Sequence, residues 1–295
     1  MLAIVFALIA ALGYGVSDFY GAMATKKIGV VPATLASYSS GVVLIGLISL
    51  IVPGAWSVDT VLVGAIAGVA VALGFIGFYA AIARGPVSVL APLIAVLYAA
   101  VPVGWAVARG EQLPTLAWAG VATGVIAVLA LSIPPKGGAE SDAERAAERA
   151  AGLRAGPTPV ALALGVLAAI GMGGASVALD YAPKDSGLTS ALIESVVAVL
   201  VLALMFAFVP RPEKGSIDYR AVGVALASGL LLAIGNGLFV LALQQGSLAL
   251  VGVLVSLYPL ATIVLARVVL KEHISRVQLA GIGLAVVAAI LMGLA

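Results

Sequence analysis

PPKGGAESDAERAAERAAGLRAGP, residues 134–157, is the one long polar stretch in this chain, and it divides an otherwise apolar sequence near its middle. Prolines and glycines open and close it, and nearly all of its charge lies between them. Ser141 followed three residues later by Glu144 has the capping-box pattern, so a short Ala-rich helix lying in water or on lipid headgroups is expected within a solvated linker. Outward from this segment, in both directions, charge almost disappears. Over 295 residues the chain is 63% hydrophobic and 9% charged, with a mean hydropathy of +1.23. A soluble domain carries roughly 25% charged residues, so the solvent for this chain is lipid.

A bilayer core about 30 Å thick takes roughly 20 apolar residues per helix. Cutting the chain at charges and at Pro/Gly punctuation leaves ten such runs, near 2–24, 33–52, 60–82, 86–107, 114–133, 158–179, 187–209, 219–243, 247–269 and 275–294. The first, beginning MLAIVFALIAALGYG, lacks a basic leading region and is read as a span rather than a cleaved signal. The fold class expected is an all-α polytopic membrane protein of ten transmembrane helices. A net charge of +2 gives no reason to expect nucleic acid, and zero cysteines exclude thiolate chemistry. His273, the single histidine, sits in a short charged loop and has no companions for a metal site. Neither a phosphate-binding loop nor a paired-Asp or His/Ser cluster occurs, so no cofactor and no enzymatic activity are expected.

The linker separates two halves that resemble each other. At an offset of 161 residues Ala81, Gly85, Leu93, Glu111, Gly120 and Ala127 meet Ala242, Gly246, Leu254, Glu272, Gly281 and Ala288. Glu111 and Glu272 are the informative pair, because charges are scarce and each opens a short loop between the fourth and fifth helix of its half. The division is therefore a five-helix repeat over 1–133, a linker over 134–157 and a second five-helix repeat over 158–295. An odd number of helices per half makes the second enter the membrane in the opposite sense. Inverted repeats are a transporter signature, with the solute site near the midplane where the repeats meet.

The spans also carry a family pattern. SLYPLATIVLARVVLKEHISRVQLAGIGLAVVAAILM, residues 256–292, holds Ser256, Tyr258, Pro259, Glu272, Gln278 and Gly281, and LIAVLYAAVPVGWAVARGEQLPTLAWAGV, residues 93–121, holds Pro102, Glu111, Trp118 and Gly120. On these residues the chain resembles the EamA family of the drug/metabolite transporter superfamily, and within it the YddG-like amino-acid exporter branch. The resemblance implies a secondary transporter that exports aromatic or neutral amino acids, or similar small metabolites, across a bacterial inner membrane by alternating access. The other reading of the residues is a proton-coupled amine or drug exporter. The partners implied are a small solute and the lipid bilayer, with one copy of the chain sufficient for a pathway.

Ionisable side chains inside the hydrocarbon region are costly and mark function. Asp18 in the first helix and Glu194 in the seventh are the two candidates, each suited to a substrate ammonium or a coupling proton. No Lys or Arg falls at mid-helix, which argues against phosphorylated solutes. Tyr14, Ser17, Tyr38, Phe78, Tyr79, Tyr98, Asn236, Ser256 and Tyr258 are the expected cavity walls. Phe75, Phe78 and Tyr79 share one helical face by their i, i+3, i+4 spacing. Pro92, Pro102 and Pro259 are expected to interrupt the fourth and ninth helices as hinges.

Lys26, Lys27, Arg84, Lys136, Arg145, Arg149, Arg154, Arg211, Lys214, Arg220, Arg267, Lys271 and Arg276 follow odd-numbered helices, against Arg109 and Lys184 elsewhere. Basic residues favour cytoplasmic loops, so the linker is expected inside and both termini outside. A cysteine placed at Ser141→Cys should react with an impermeant maleimide only once the cytoplasmic face is opened. Labelling of intact cells would reverse the orientation.

Overall fold

In lipid every backbone N–H and C=O must find its partner within the protein, and an α-helix achieves this within one segment. The computed structural model describes residues 1–82, 84, 87–131, 133, 158–208, 218–269 and 275–294, and no strand occurs among them. The linker at 134–157, Glu272 and His273 lie outside the described residues.

The helices are α1 (Leu2–Ile28), α2 (Val30–Ile51), α3 (Val58–Ile82), α4 (Val87–Ala108), α5 (Thr115–Leu131), α6 (Pro159–Asp180), α7 (Thr189–Phe208), α8 (Tyr219–Leu243), α9 (Leu248–Val255), α10 (Pro259–Val269) and α11 (Arg276–Leu294), with a 3-10 turn at Lys184–Ser186. Seven segments are long and apolar enough to cross a membrane, counting Leu248–Val269 as one, while Val96–Ala108, Thr115–Leu131 and Arg276–Met292 are shorter apolar helices. Polar caps set several of the starts. Thr158 accepts from the N–H of Ala161 with Pro159 at the first helical position, Asp218 accepts from Ala221, and Ser247 accepts from Leu250. Ser275 and Gln278 exchange backbone and side-chain bonds as a capping box. The first helix runs on to Ile28, four residues past its expected end, and stops at Gly29, whose φ of 82° suits glycine.

The two spans expected to be interrupted by proline differ. The fourth helix runs unbroken from Val87 to Ala108 through both Pro92 and Pro102. Each proline removes only one hydrogen bond, and the ring of Pro102 is buried against Gly252 of α9. The ninth span does break, at Ser256–Tyr258 just before Pro259, and 3-10 bonds from Leu257, Tyr258, Leu260 and Ala261 bridge the gap.

Leu50, Leu167, Leu200, Leu204, Phe208 and Leu279 lie exposed on the outer surface, as lipid demands. Inside, the contacts are made by small residues, which let helix backbones approach closely. α1 packs chiefly on α8 and α3 on α6; α2 also lies on α8 and α3 on α7; α4 lies on α6, and α9 and α10 on α1; α5 pairs with α11. A Cβ on Gly229 of α8 would collide with the carbonyl of Ser37 on α2, and one on Gly171 of α6 would stand 2.8 Å from the backbone of Gly74 on α3. The short helix α9 fills the middle, with Val251, Val253, Leu254 and Val255 wholly buried.

One end of the bundle is stitched by polar contacts. The N–H of Ala55 donates to Asp185 O at 2.8 Å, Gln244 Nε2 donates to Gly187 O at 2.9 Å, and Arg109 pairs with Asp180 at 2.6 Å while lying 4.9 Å from the Tyr181 ring centre.

Gly229→Val should cost about 1–3 kcal/mol or more by forcing α2 and α8 apart. Gly223→Ala on the same helix, where a Cβ meets nothing within 4 Å, should be neutral. Thermal unfolding in detergent checks both, and equal melting temperatures for the two variants would refute the close-packing account.

Candidate functional site

Tyr14, Ser17 and Asp18 recur at i, i+3 and i+4 on α1, so they form one polar face on an otherwise apolar helix. That face turns toward α8 and the break between α9 and α10. Ser17 and Ser228 share a hydroxyl contact of 3.1 Å, and Ser228 also donates to the Ser17 carbonyl at 2.9 Å. Thr262 of α10 donates to the carbonyl of Gly15 at 2.9 Å, while a Cβ on Gly15 would strike the carbonyl of Tyr258. The break thus rests directly on α1, one turn from Asp18.

Asp18 is exposed and stands one helical turn beyond Tyr14 on the same face of α1. Tyr14, Tyr98 and Tyr258 are partly exposed, and each is close enough to Asp18 to sense its charge. Tyr98 also bonds Ser176 across the α4–α6 contact. One carboxylate and three phenols from α1, α4 and the α9–α10 break therefore converge.

Glu194 is placed differently. It is 4% exposed, and its Oε2 accepts from Asn236 Nδ2 at 2.5 Å and from Ser195 Oγ at 3.4 Å. Asn236 Oδ1 in turn accepts from the Tyr14 hydroxyl at 3.1 Å. The result is a chain Tyr14–Asn236–Glu194–Ser195 linking α1, α8 and α7. Flanking Gly235 and Gly237 keep the amide's surroundings narrow: a Cβ at Gly235 would lie 3.0 Å from the Tyr14 ring. Among the described residues neither Asp18 nor Glu194 has an ion-pair partner, and no group of three or more His, Cys, Asp or Glu could hold a metal.

Other expected wall residues pack among apolar neighbours, Tyr38 within electrostatic reach of Tyr14. Tyr38 is buried edge-on to Phe75 at 5.7 Å between ring centres, in an apolar cluster with Ala72, Ala198 and Leu202. Phe78 packs with Ala81, Leu90 and Ile94 where α3 meets α4 and α6. Ser256 is buried and donates to its own helix at Val253 O, 2.7 Å away. The side chains of Tyr79 and Pro92 lie outside the described residues. Conversely Ser176, Ser195, Ser228 and Thr262 bond at the site without having been singled out, because scattered hydroxyls in apolar helices give no pattern until the partner helix is known.

Residues 159–294, just under half of the chain, match the profile of the EamA-like transporter family. No curated protein matches. Among solved structures, the crystal structure of one protein shares the fold at a TM-score of 0.68 and 19% identity, covering 97% of this chain and 96% of that one. The family match and the apolar helices together describe a multi-pass membrane protein.

Asn236→Leu should lower stability by about 1–3 kcal/mol, since Glu194 loses its amide donor in a buried setting. Adding Glu194→Leu should recover part of that loss, because an apolar pair leaves nothing unsatisfied. Strictly additive losses in thermal unfolding would show that the two side chains are not coupled.

Proposed function

We propose that this chain is a secondary transporter of small amine-bearing solutes, amino acids or simple amines, working across a bacterial inner membrane by alternating access. The observation that carries the reading is Asp18: an exposed carboxylate in mid-helix with no ion-pair partner among the described residues, within electrostatic reach of Tyr14, Tyr98 and Tyr258. A carboxylate with aromatic neighbours suits an ammonium through charge and cation–π attraction. The EamA-like match over 159–294 supports transport as the class of function.

The repeats enter the proposal as two inverted five-helix units, 1–133 and 158–295, moving against each other. Helix pairing supports this. Exchanging the halves turns the α1–α8 contact into α6–α3, the α2–α8 contact into α7–α3, and the α4–α6 contact into the packing of α9 and α10 on α1; all are present. The α5–α11 pair and the α2–α7 contact map onto themselves. Such an arrangement has two equivalent ways to close, one at each membrane face.

Between the two substrate readings, zwitterionic amino acid or amine cation, the site's donors favour the amine. No Lys or Arg among the described residues pairs with this group, and the N–H groups of Leu257, Tyr258, Leu260 and Ala261 at the break are already bonded. A solute carboxylate would have to rely on hydroxyls.

Reconstituted protein should show saturable uptake of phenethylamine into liposomes, exceeding that of L-phenylalanine, with no uptake of a sugar phosphate. Asp18→Asn should raise the KM for phenethylamine at least about tenfold, the loss of one charge-assisted contact. Preferred uptake of L-phenylalanine would restore the amino-acid reading, and uptake of the sugar phosphate alone would defeat both.

A further inference from the structure

Glu194 is the second membrane-interior carboxylate, and ammonium binding at Asp18 leaves it without a task. It is buried, unpaired among the described residues, and tied through Asn236 to Tyr14. Tyr14 also lies one turn from Asp18 on the same face of α1, so one phenol belongs to both groups.

The donor count of this chain permits two arrangements. As found, the Tyr14 hydroxyl donates to Asn236 Oδ1 and Asn236 Nδ2 donates to Glu194 Oε2. That pattern suits an ionised carboxylate, which can only accept, and it leaves the Tyr14 oxygen lone pairs free. If Glu194 takes a proton, its O–H can donate to Oδ1 once the amide turns over, and Nδ2 then donates to the Tyr14 oxygen. Tyr14 in that case offers its hydrogen, rather than its lone pairs, toward Asp18. An ammonium needs acceptors, so it fits beside the first arrangement and is disfavoured beside the second.

We propose that Glu194 is the coupling-proton site of this transporter and that the Tyr14–Asn236 pair makes proton and solute ammonium mutually exclusive. The proposal rests on the transport reading above. No bond other than O–H is made or broken: one proton leaves Glu194 as one ammonium enters at Asp18, and it returns when the solute departs. The groups around Glu194 are Tyr14 of α1, Tyr98 of α4, Ser195 of α7 itself and Asn236 of α8, with Asp18 and Tyr38 lying beyond them on the far side of Tyr14; α3 presents Gly68, whose neighbour is the Glu194 carbonyl. Among the described residues none of these is cationic, which suits the site to a proton or a solute cation. Asp18 differs in having water access and no amide relay, which suits it to the solute.

The test uses the full chain in liposomes with phenethylamine as probe. Counterflow without a pH gradient reads solute movement alone, and accumulation driven by an imposed gradient reads coupling. Wild-type protein should show both. Glu194→Gln should lower the ratio of gradient-driven accumulation to counterflow at least about tenfold, within the usual range of site-to-site coupling, whereas Asp18→Asn should depress both together. Dicyclohexylcarbodiimide, which attacks protonated carboxyls in apolar surroundings, gives a readout independent of transport. It should modify Glu194, located by peptide mass spectrometry, and saturating phenethylamine should slow that reaction in the wild type but not in Tyr14→Phe. A wild-type ratio in Glu194→Gln, modification at Asp18 in place of Glu194, or undiminished protection in Tyr14→Phe would each overturn the proposal. Wild-type protein that moves no phenethylamine while Glu194 still reacts would instead overturn the amine-transport reading and leave the proton on Glu194.

Discussion

The amide of Asn236 is held from both sides, by the Tyr14 hydroxyl on its oxygen and the Glu194 carboxylate on its nitrogen. In water such contacts would contribute little. In a lipid-embedded core, where little water competes, each member relies on the others. Three helices from both halves of the chain are fixed to one another at this point, and the polar face of α1 is turned inward by it. The Ser17–Ser228 and Thr262–Gly15 bonds extend the same constraint along α1, toward α8 in one case and α10 in the other.

For those contacts to form, the helices must come close, and glycine makes that possible. Gly15 lies against the carbonyl of Tyr258, Gly68 against that of Glu194, and Gly229 against that of Ser37. In each case a backbone stands where a side chain would otherwise be, next to a residue that bonds at the site or beside it. Close packing and the polar network are therefore one feature: larger residues at the contacts would separate the groups that need each other.

The broken ninth span is where shape and chemistry meet. Pro259 supplies no N–H for the Val255 carbonyl, which Tyr258 bonds instead, and the gap is closed by tighter 3-10 bonds. The break aims Tyr258 toward Asp18 while the buried segment α9 plugs the middle of the bundle. Pro102 shows that proline alone does not decide this, since α4 passes through it without interruption and uses its ring for packing.

The sequence by itself determined the solvent, the helical class, the position of nearly every helix and the two carboxylates, because hydropathy and charge are properties of a local window and lipid penalises every exception. Asp18, Glu194 and Asn236 stood out for that reason alone. What only the tertiary structure decided is which polar groups meet. Tyr14 and Asn236 are 222 residues apart, and no periodicity within either helix could pair them. The same holds for the fates of Tyr38 and Phe78, which look like cavity walls by type and spacing yet pack among apolar neighbours. An aromatic ring is equally at home in a core and in a recess; the helix placed opposite it makes the choice.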